Sequence, residues 1–258
     1  MKASRPVNMA VITFVGLCLL VTMPTAEAQE EDWEFTADLY MWYASMGGKS
    51  AIGGDIDIDA GDLIDNLDMG FMTVLEARKG KWSILTDIMY LDVSADNQST
   101  ITVPSLSGVS IVVDAEVELE GWIVTPAVGY NFLQADTVRL DVLVGARYLW
   151  LSTDLELNTY GPLQPRYRKI SDSGDVWDGI VGLKGEVALA KNFSIPFYLD
   201  VGTGETDLTW QAVGSLAYKF EKIDVVVGYR YLEWNFDDND VFDDLNISGP
   251  YAGIKIRF

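Results

Sequence analysis

Histidine is missing from all 258 residues, and only one cysteine is present. The first absence removes the side chain that titrates near neutrality, and with it the usual base for a serine or water nucleophile. Carboxylate-only or lysine-based catalysis stays open. Glu116, Glu118 and Glu120, stacked on one face, either hold a proton by mutual repulsion or form a solvated acidic rim. The one cysteine, Cys18, lies inside the apolar stretch from Met9 to Val21. Lys2 and Arg5 precede that stretch, and Ala26-Glu27-Ala28 offers small residues at the cleavage positions of a secretory signal peptide. Cleavage after Ala28 leaves a mature chain, residues 29–258, with no thiol. Disulfides and thiolate chemistry are thereby excluded.

Positive charge is scarce: 18 Lys and Arg stand against 39 Asp and Glu, for a net charge of −21, and loss of the leader moves it to −22. Such a chain repels a phosphate backbone, so nucleic acid is not a partner. Hydrophobic residues make up 49% of the sequence, which excludes an acidic disordered tail. No apolar run of ~20 residues, the length of a spanning helix, follows the leader. If the mature chain enters a membrane, strands must carry it, and only a closed barrel satisfies their backbone groups in lipid.

Strands are what the sequence offers. Side chains alternate apolar and polar with a period of two over Trp33–Ala44, Phe71–Arg78, Trp82–Leu91, Glu116–Tyr130, Val138–Trp150, Trp177–Leu189, Ile195–Val201, Leu208–Phe220, Asp224–Leu232 and Ala252–Phe258. Lys79-Gly80-Lys81, Gln134–Asp136, Ala190-Lys191-Asn192 and Glu221-Lys222 read as tight turns. Longer polar connections fall at Ser45–Asp68, Ser94–Val113, Leu157–Asp175 and Phe236–Asn246. Pro126 cannot donate to a ladder and reads as a bulge. In Glu116–Tyr130 the row Val117, Leu119, Gly121, Ile123 is taken as the apolar face. The pattern predicts one all-β domain, an up-and-down antiparallel transmembrane barrel of about ten strands, with eight or twelve as alternatives.

A soluble exported barrel or sandwich would show the same alternation, with the apolar face inward. Three features favour lipid. The apolar faces carry no charge except Glu233 at a strand end. Their aromatics collect at the strand ends, with Trp33, Trp82, Tyr218, Phe220 and Phe258 toward the tight turns. Tyr43, Tyr90, Tyr148, Trp150, Trp177, Trp210 and Tyr231 lie toward the long connections, which makes two girdles. The opposite faces carry charges of both signs. Asp38, Glu76, Arg78, Asp87, Arg139, Asp141, Arg147, Lys184, Glu186, Arg230, Lys255 and Arg257 are assigned to a paired network plugging a narrow lumen, beside Glu34, Asp200 and Asp224. Aqueous channels are typical of 16–18 strands, so a sugar-sized pore is excluded and an ion-scale channel remains an alternative.

Two acidic clusters are candidate metal sites. Asp55, Asp57 and Asp59 repeat the first three ligand positions of a calcium loop, but Ala60 and Asn66 replace its defining Gly and Glu. Asp237, Asp238, Asp240, Asp243 and Asp244 form the second. Hard oxygen ligands there suit Ca²⁺ or Mg²⁺, bridging to lipopolysaccharide phosphates; no other cofactor is expected.

The closing row Ala252, Ile254, Ile256, Phe258 resembles the last strand of bacterial outer-membrane barrels. That resemblance implies that Phe258 is read by the barrel assembly machinery. Glu76-Ala77-Arg78-Lys79-Gly80, Gly145-Ala146-Arg147-Tyr148, Thr209-Trp210-Gln211 and Gly228-Tyr229-Arg230-Tyr231-Leu232 are similar to a group of mostly uncharacterised Gram-negative outer-membrane barrel proteins. The resemblance covers nearly the whole mature chain and implies an outer-membrane location but no activity. The expectation is a monomeric, non-enzymatic barrel with a structural or surface-interaction role through acidic outer loops, in contact with outer-membrane lipid and lipopolysaccharide.

Overall fold

In a computed structural model of the chain, the described residues are 32–50, 55–103, 109–160, 166–236 and 242–258. The expected leader and Asp237, Asp238 and Asp240 lie outside them. The unit Asp32–Phe258 is almost entirely strand. Its elements are β1 (Trp33–Trp42), β2 (Ser45–Ser50), β3 (Asp55–Ile58), α1 (Ala60–Asp65), β4 (Leu67–Lys79), β5 (Trp82–Val103) and β6 (Val109–Gln134). They continue with β7 (Val138–Tyr160), β8 (Arg166–Ala188), β9 (Phe193–Gly204), β10 (Leu208–Lys219), β11 (Ile223–Asn235) and β12 (Phe242–Arg257).

Ten of these strands close into an antiparallel ring, β1-β4-β5-β6-β7-β8-β9-β10-β11-β12, and β12 returns to β1 through Thr36↔Arg257 to Trp42↔Tyr251. Closure removes the edges that an open sheet must protect, except where the β1–β4 pairing ends at Leu39↔Thr73. β2 continues β1 along β12 in the same register, Ser45↔Ser248 following Trp42↔Tyr251. β3 folds back on β2 through Met46↔Ile58, so the pair stands outside the ring.

The apolar faces look outward. Val142 and Val144 are 41% and 62% exposed, whereas Asp141 and Arg147 on the alternate parity are 1% and 0% exposed. The aromatics pair across neighbouring strands at two levels. On the turn side Trp82 meets Tyr130 at 5.0 Å and Phe193 meets Tyr218 at 4.9 Å. On the other side Tyr90–Trp122, Tyr148–Trp177 and Trp210–Tyr231 meet at 4.5, 4.6 and 4.7 Å.

The structure corrects several expectations. Ser45–Asp68 is not a loop: it contains β2, β3 and α1. Most of Ser94–Val113 and Leu157–Asp175 is strand as well. β5, β6, β7 and β8 run for 22, 26, 23 and 23 residues, against 12 to 13 for β9, β10 and β11. At about 3.3 Å per residue, β5 runs on for roughly 40 Å past Tyr90. The ladder passes Pro126 without slipping; the irregularity falls between Asn131 and Leu133. The faces of β6 are also reversed. Trp122 and Val128 point outward, 37% and 48% exposed, while Ile123, Thr125 and Ala127 are buried inside. Glu118 and Glu120 share the outward parity of Trp122 but lie beyond the girdle, where carboxylates meet water. Their position masked the outward apolar row below them.

Candidate functional site

The ten strands of the ring turn one parity toward the barrel axis and bury it there, so the lumen is where the chemistry of this chain collects. Its half toward the tight turns is ionic. Arg78 bridges Glu76 at 2.9 Å and also pairs with Asp141, and Lys184 pairs with the other oxygen of Glu76. Asn131 Nδ2 donates to Asp141 Oδ1 at 2.6 Å. Lys255 lies 3.3 Å from Asp38, and Arg257 lies 2.5 Å from Asp224. Lys219 pairs with Glu186. Arg139, expected in the network, stands opposite Glu186 in register, but among the described residues no ion pair to it is formed.

Higher in the lumen Arg147 donates to Asp200 Oδ2 at 2.5 Å and to Thr209 Oγ1 at 2.8 Å, with Arg147 and Thr209 both 0% exposed. Arg230 lies 2.8 Å from Asp87 and donates to the Tyr40 hydroxyl at 2.7 Å and to Gln211 Oε1 at 2.6 Å. Tyr40 in turn donates to Asp87 Oδ1 at 2.8 Å. The Arg230 guanidinium sits 5.0 Å from the Trp42 ring centroid, a cation–π contact that caps the ionic half. Charges this deeply desolvated are held only where partners offset the loss of water. A small cavity of about 140 Å³ remains among Asp38, Tyr40, Lys184 and Arg230.

The half toward the long strands is not ionic. Trp42, Met46, Met89, Ile123, Leu149, Leu232, Trp234 and Leu245 form one buried apolar cluster there, joined by Leu63 of α1. The lumen filling is therefore two-layered, with the paired charges below and an apolar layer above. Both faces of the strands are apolar at that level, which hides the layer from period-two analysis. Tyr40, Thr209, Gln211 and Lys219 are network members that sequence reasoning missed. Their inward parity was legible, but neutral polar residues give no charge signal, and Lys219 adjoins a turn.

Asp55 and Asp57 stand on β3 opposite Lys49 and Gly47. Asp59 flanks the start of α1 without a side-chain cap bond. Among the described residues no three Asp or Glu side chains converge as metal ligands. The β7–β8 extension, beyond the outer girdle, carries exposed ion pairs. Lys169 lies 3.0 Å from Glu156 and 3.3 Å from Asp154. Hydrogen bonds from Ser171 and Lys169 hold the Asp154 carboxyl below its ordinary range. Those from Lys169 and Tyr167 do the same to Glu156.

No protein-family model matches the chain, and no curated protein matches it. Solved structures share the barrel outline at low similarity. Ail of Yersinia pestis is 12% identical, with 88% of this chain and 99% of that one covered and a TM-score of 0.35. The translocator domain of autotransporter NalP from Neisseria meningitidis is 13% identical, with 90% of each chain covered and a TM-score of 0.42. The toluene transporter TodX of P. putida is 11% identical over 89% of this chain and 90% of that one, with a TM-score of 0.30. At these values they assign no activity to the chain.

Proposed function

We propose that the chain is an integral outer-membrane β-barrel protein of a Gram-negative bacterium. In this reading the barrel is closed, and the extended acidic strands β5 to β8 present an interaction surface to the outside. The observation that carries the reading is the inversion of the wall: Val144 is 62% exposed while Arg147 is 0% exposed. In water so continuous an apolar girdle would drive association, since soluble monomers seldom expose patches above a few hundred Å². Hydrocarbon makes the same wall favourable, and two aromatic girdles suit its two surfaces. No helix among the described residues is long and apolar enough to cross a membrane, so crossing falls to strands. Export through the cleaved leader and insertion by the barrel assembly machinery complete the route. Outside, the acidic extension meets lipopolysaccharide phosphates through bridging divalent cations.

The lumen supports a plug in preference to a pore, because an apolar layer lies above the ionic one. A narrow ion-scale channel is the second reading, favoured by the cavity of about 140 Å³ among the lumen charges. Planar-bilayer recording of the purified protein separates the two. We expect no unit conductance steps above background; reproducible steps would replace the plug with the channel.

A further inference from the structure

We infer that the seam between β1 and β4 is a lateral entrance, and that the apolar cavity behind it binds one unbranched alkyl chain from the surrounding membrane. The inference rests on the membrane reading above and adds to it a ligand and a route.

The β1–β4 ladder runs from Trp33↔Lys79 to Leu39↔Thr73 and stops. Continued, it would set Met41 opposite Phe71. β4 instead goes on pairing only with β5, up to Leu67↔Val93, while β1 and β2 go on pairing with β12. The wall therefore parts between Tyr40–Ala44 and Leu67–Met72. Phe71 is in register with Tyr90 of the outer girdle, so the gap opens in the outer half of the apolar belt. Unpaired strand edges are costly in hydrocarbon. α1 lies at this gap, with Leu63 buried at 7% exposure and Ile64 exposed at 42%. It is tied to β2 where the Ala60 N–H donates to the Ser45 hydroxyl at 3.2 Å.

Behind the seam lies a cavity of about 520 Å³, bounded by Trp42, Met72, Met89, Ile123 and Tyr251 and reaching Met41 and Gly70 at the gap. Its size is within the range of ligand sites, about 300–1,000 Å³. Among the described residues no charged side chain lines it. Water has too few polar partners in such a space to fill it favourably. The phase at its mouth is hydrocarbon, so the solute with access is an alkyl chain. Methionines at 41, 46, 72 and 89 supply unbranched, adaptable walls for a flexible chain. The chain can belong to a phospholipid or to a free fatty acid.

Photolabelling in phosphatidylcholine vesicles tests the inference. One sample contains a phospholipid with a diazirine at the middle of its acyl chain, the other a free fatty acid with the same group, and adducts are mapped by peptide mass spectrometry. We expect adducts on inward-facing Met72, Met89 and Ile123 as well as on outward-facing Leu75 and Val144. Interior adducts from only one sample identify that source; from both, they show that either chain enters. Adducts confined to Leu75 and Val144 overturn the cavity while leaving the membrane reading standing. No adducts even there overturn both. Gly70→Phe, placed at the entrance where a Cβ meets nothing closer than Leu67 at 3.6 Å, should lower the interior-to-exterior adduct ratio at least fivefold. Met89→Trp, which fills the cavity, should do the same, and an unchanged ratio in both variants overturns the route.

Discussion

Arg147 and Asp200 meet at 2.5 Å inside the barrel, each side chain 0% exposed, joining β7 to β9 across the intervening β8. Removing one partner strands the other charge in a dry lumen. Arg147→Leu should cost about 3–5 kcal/mol, because an uncompensated buried carboxylate remains. Replacing both, with Asp200→Leu added, should recover most of that loss. Denaturant unfolding of the refolded protein in detergent measures both. An equal loss in single and double variants would show that shape, not charge pairing, holds this layer.

The outward wall makes a depth-dependent prediction. Val144→Arg, in the middle of the belt, should destabilise the barrel in lipid by about 2–4 kcal/mol. Leu189→Arg, at the turn-side rim and 58% exposed, should cost about 0–1 kcal/mol. Unfolding titrations in lipid vesicles compare the two. Equal costs at the two depths would argue against a hydrocarbon environment.

Phe258 separates folding from delivery. It is 77% exposed, and its described tie is a backbone bond in which its N–H donates to the Phe35 carbonyl at 3.0 Å. Phe258→Ala should leave the stability of the refolded protein within about 0.5 kcal/mol, as exposed substitutions do. The same variant should reach the outer membrane in reduced amount if the assembly machinery reads the last residue. Fractionation of expressing cells gives the second number, and normal delivery would remove that role.

Acid should loosen the β7–β8 extension before the barrel. Asp154 and Glu156 have carboxyl pKa values depressed below their ordinary 3.8 and 4.5 by Ser171, Lys169 and Tyr167. A depressed folded-state value contributes order above the ordinary pKa and loses it as pH falls through the folded one. Amide exchange of residues 152–159 and 166–173, normalised to intrinsic rates, should therefore accelerate below about pH 4. Residues 138–148 should not respond. Lys169→Met should remove much of the pH dependence, and screening by water keeps the effect small.

Period-two alternation was sufficient for the ring, because a strand with an apolar outward face and a charged inward face has to write its two environments into alternate residues. β7 shows this plainly, with Leu140, Val142 and Val144 against Arg139, Asp141 and Arg147. The same logic failed wherever the two environments were alike. Beyond the outer girdle both faces of β5 to β8 meet water, so extended strands resemble polar loops. At the apolar lumen layer both faces are greasy, so Met89, Ile123 and Leu149 carry no inward mark. β6 combined the two conditions, and Glu118 and Glu120 above the girdle drew the polar label onto its outward side.

The amino-acid sequence by itself determined that this chain is made of strands, that nine of its ten wall strands turn their greasy side one way, and that histidine chemistry is excluded. Only the tertiary structure decided which charges meet, where the wall parts beyond the Leu39↔Thr73 pair, and what fills the barrel. Those depend on register and closure, which bring together residues such as Arg147 and Asp200 that no local period relates.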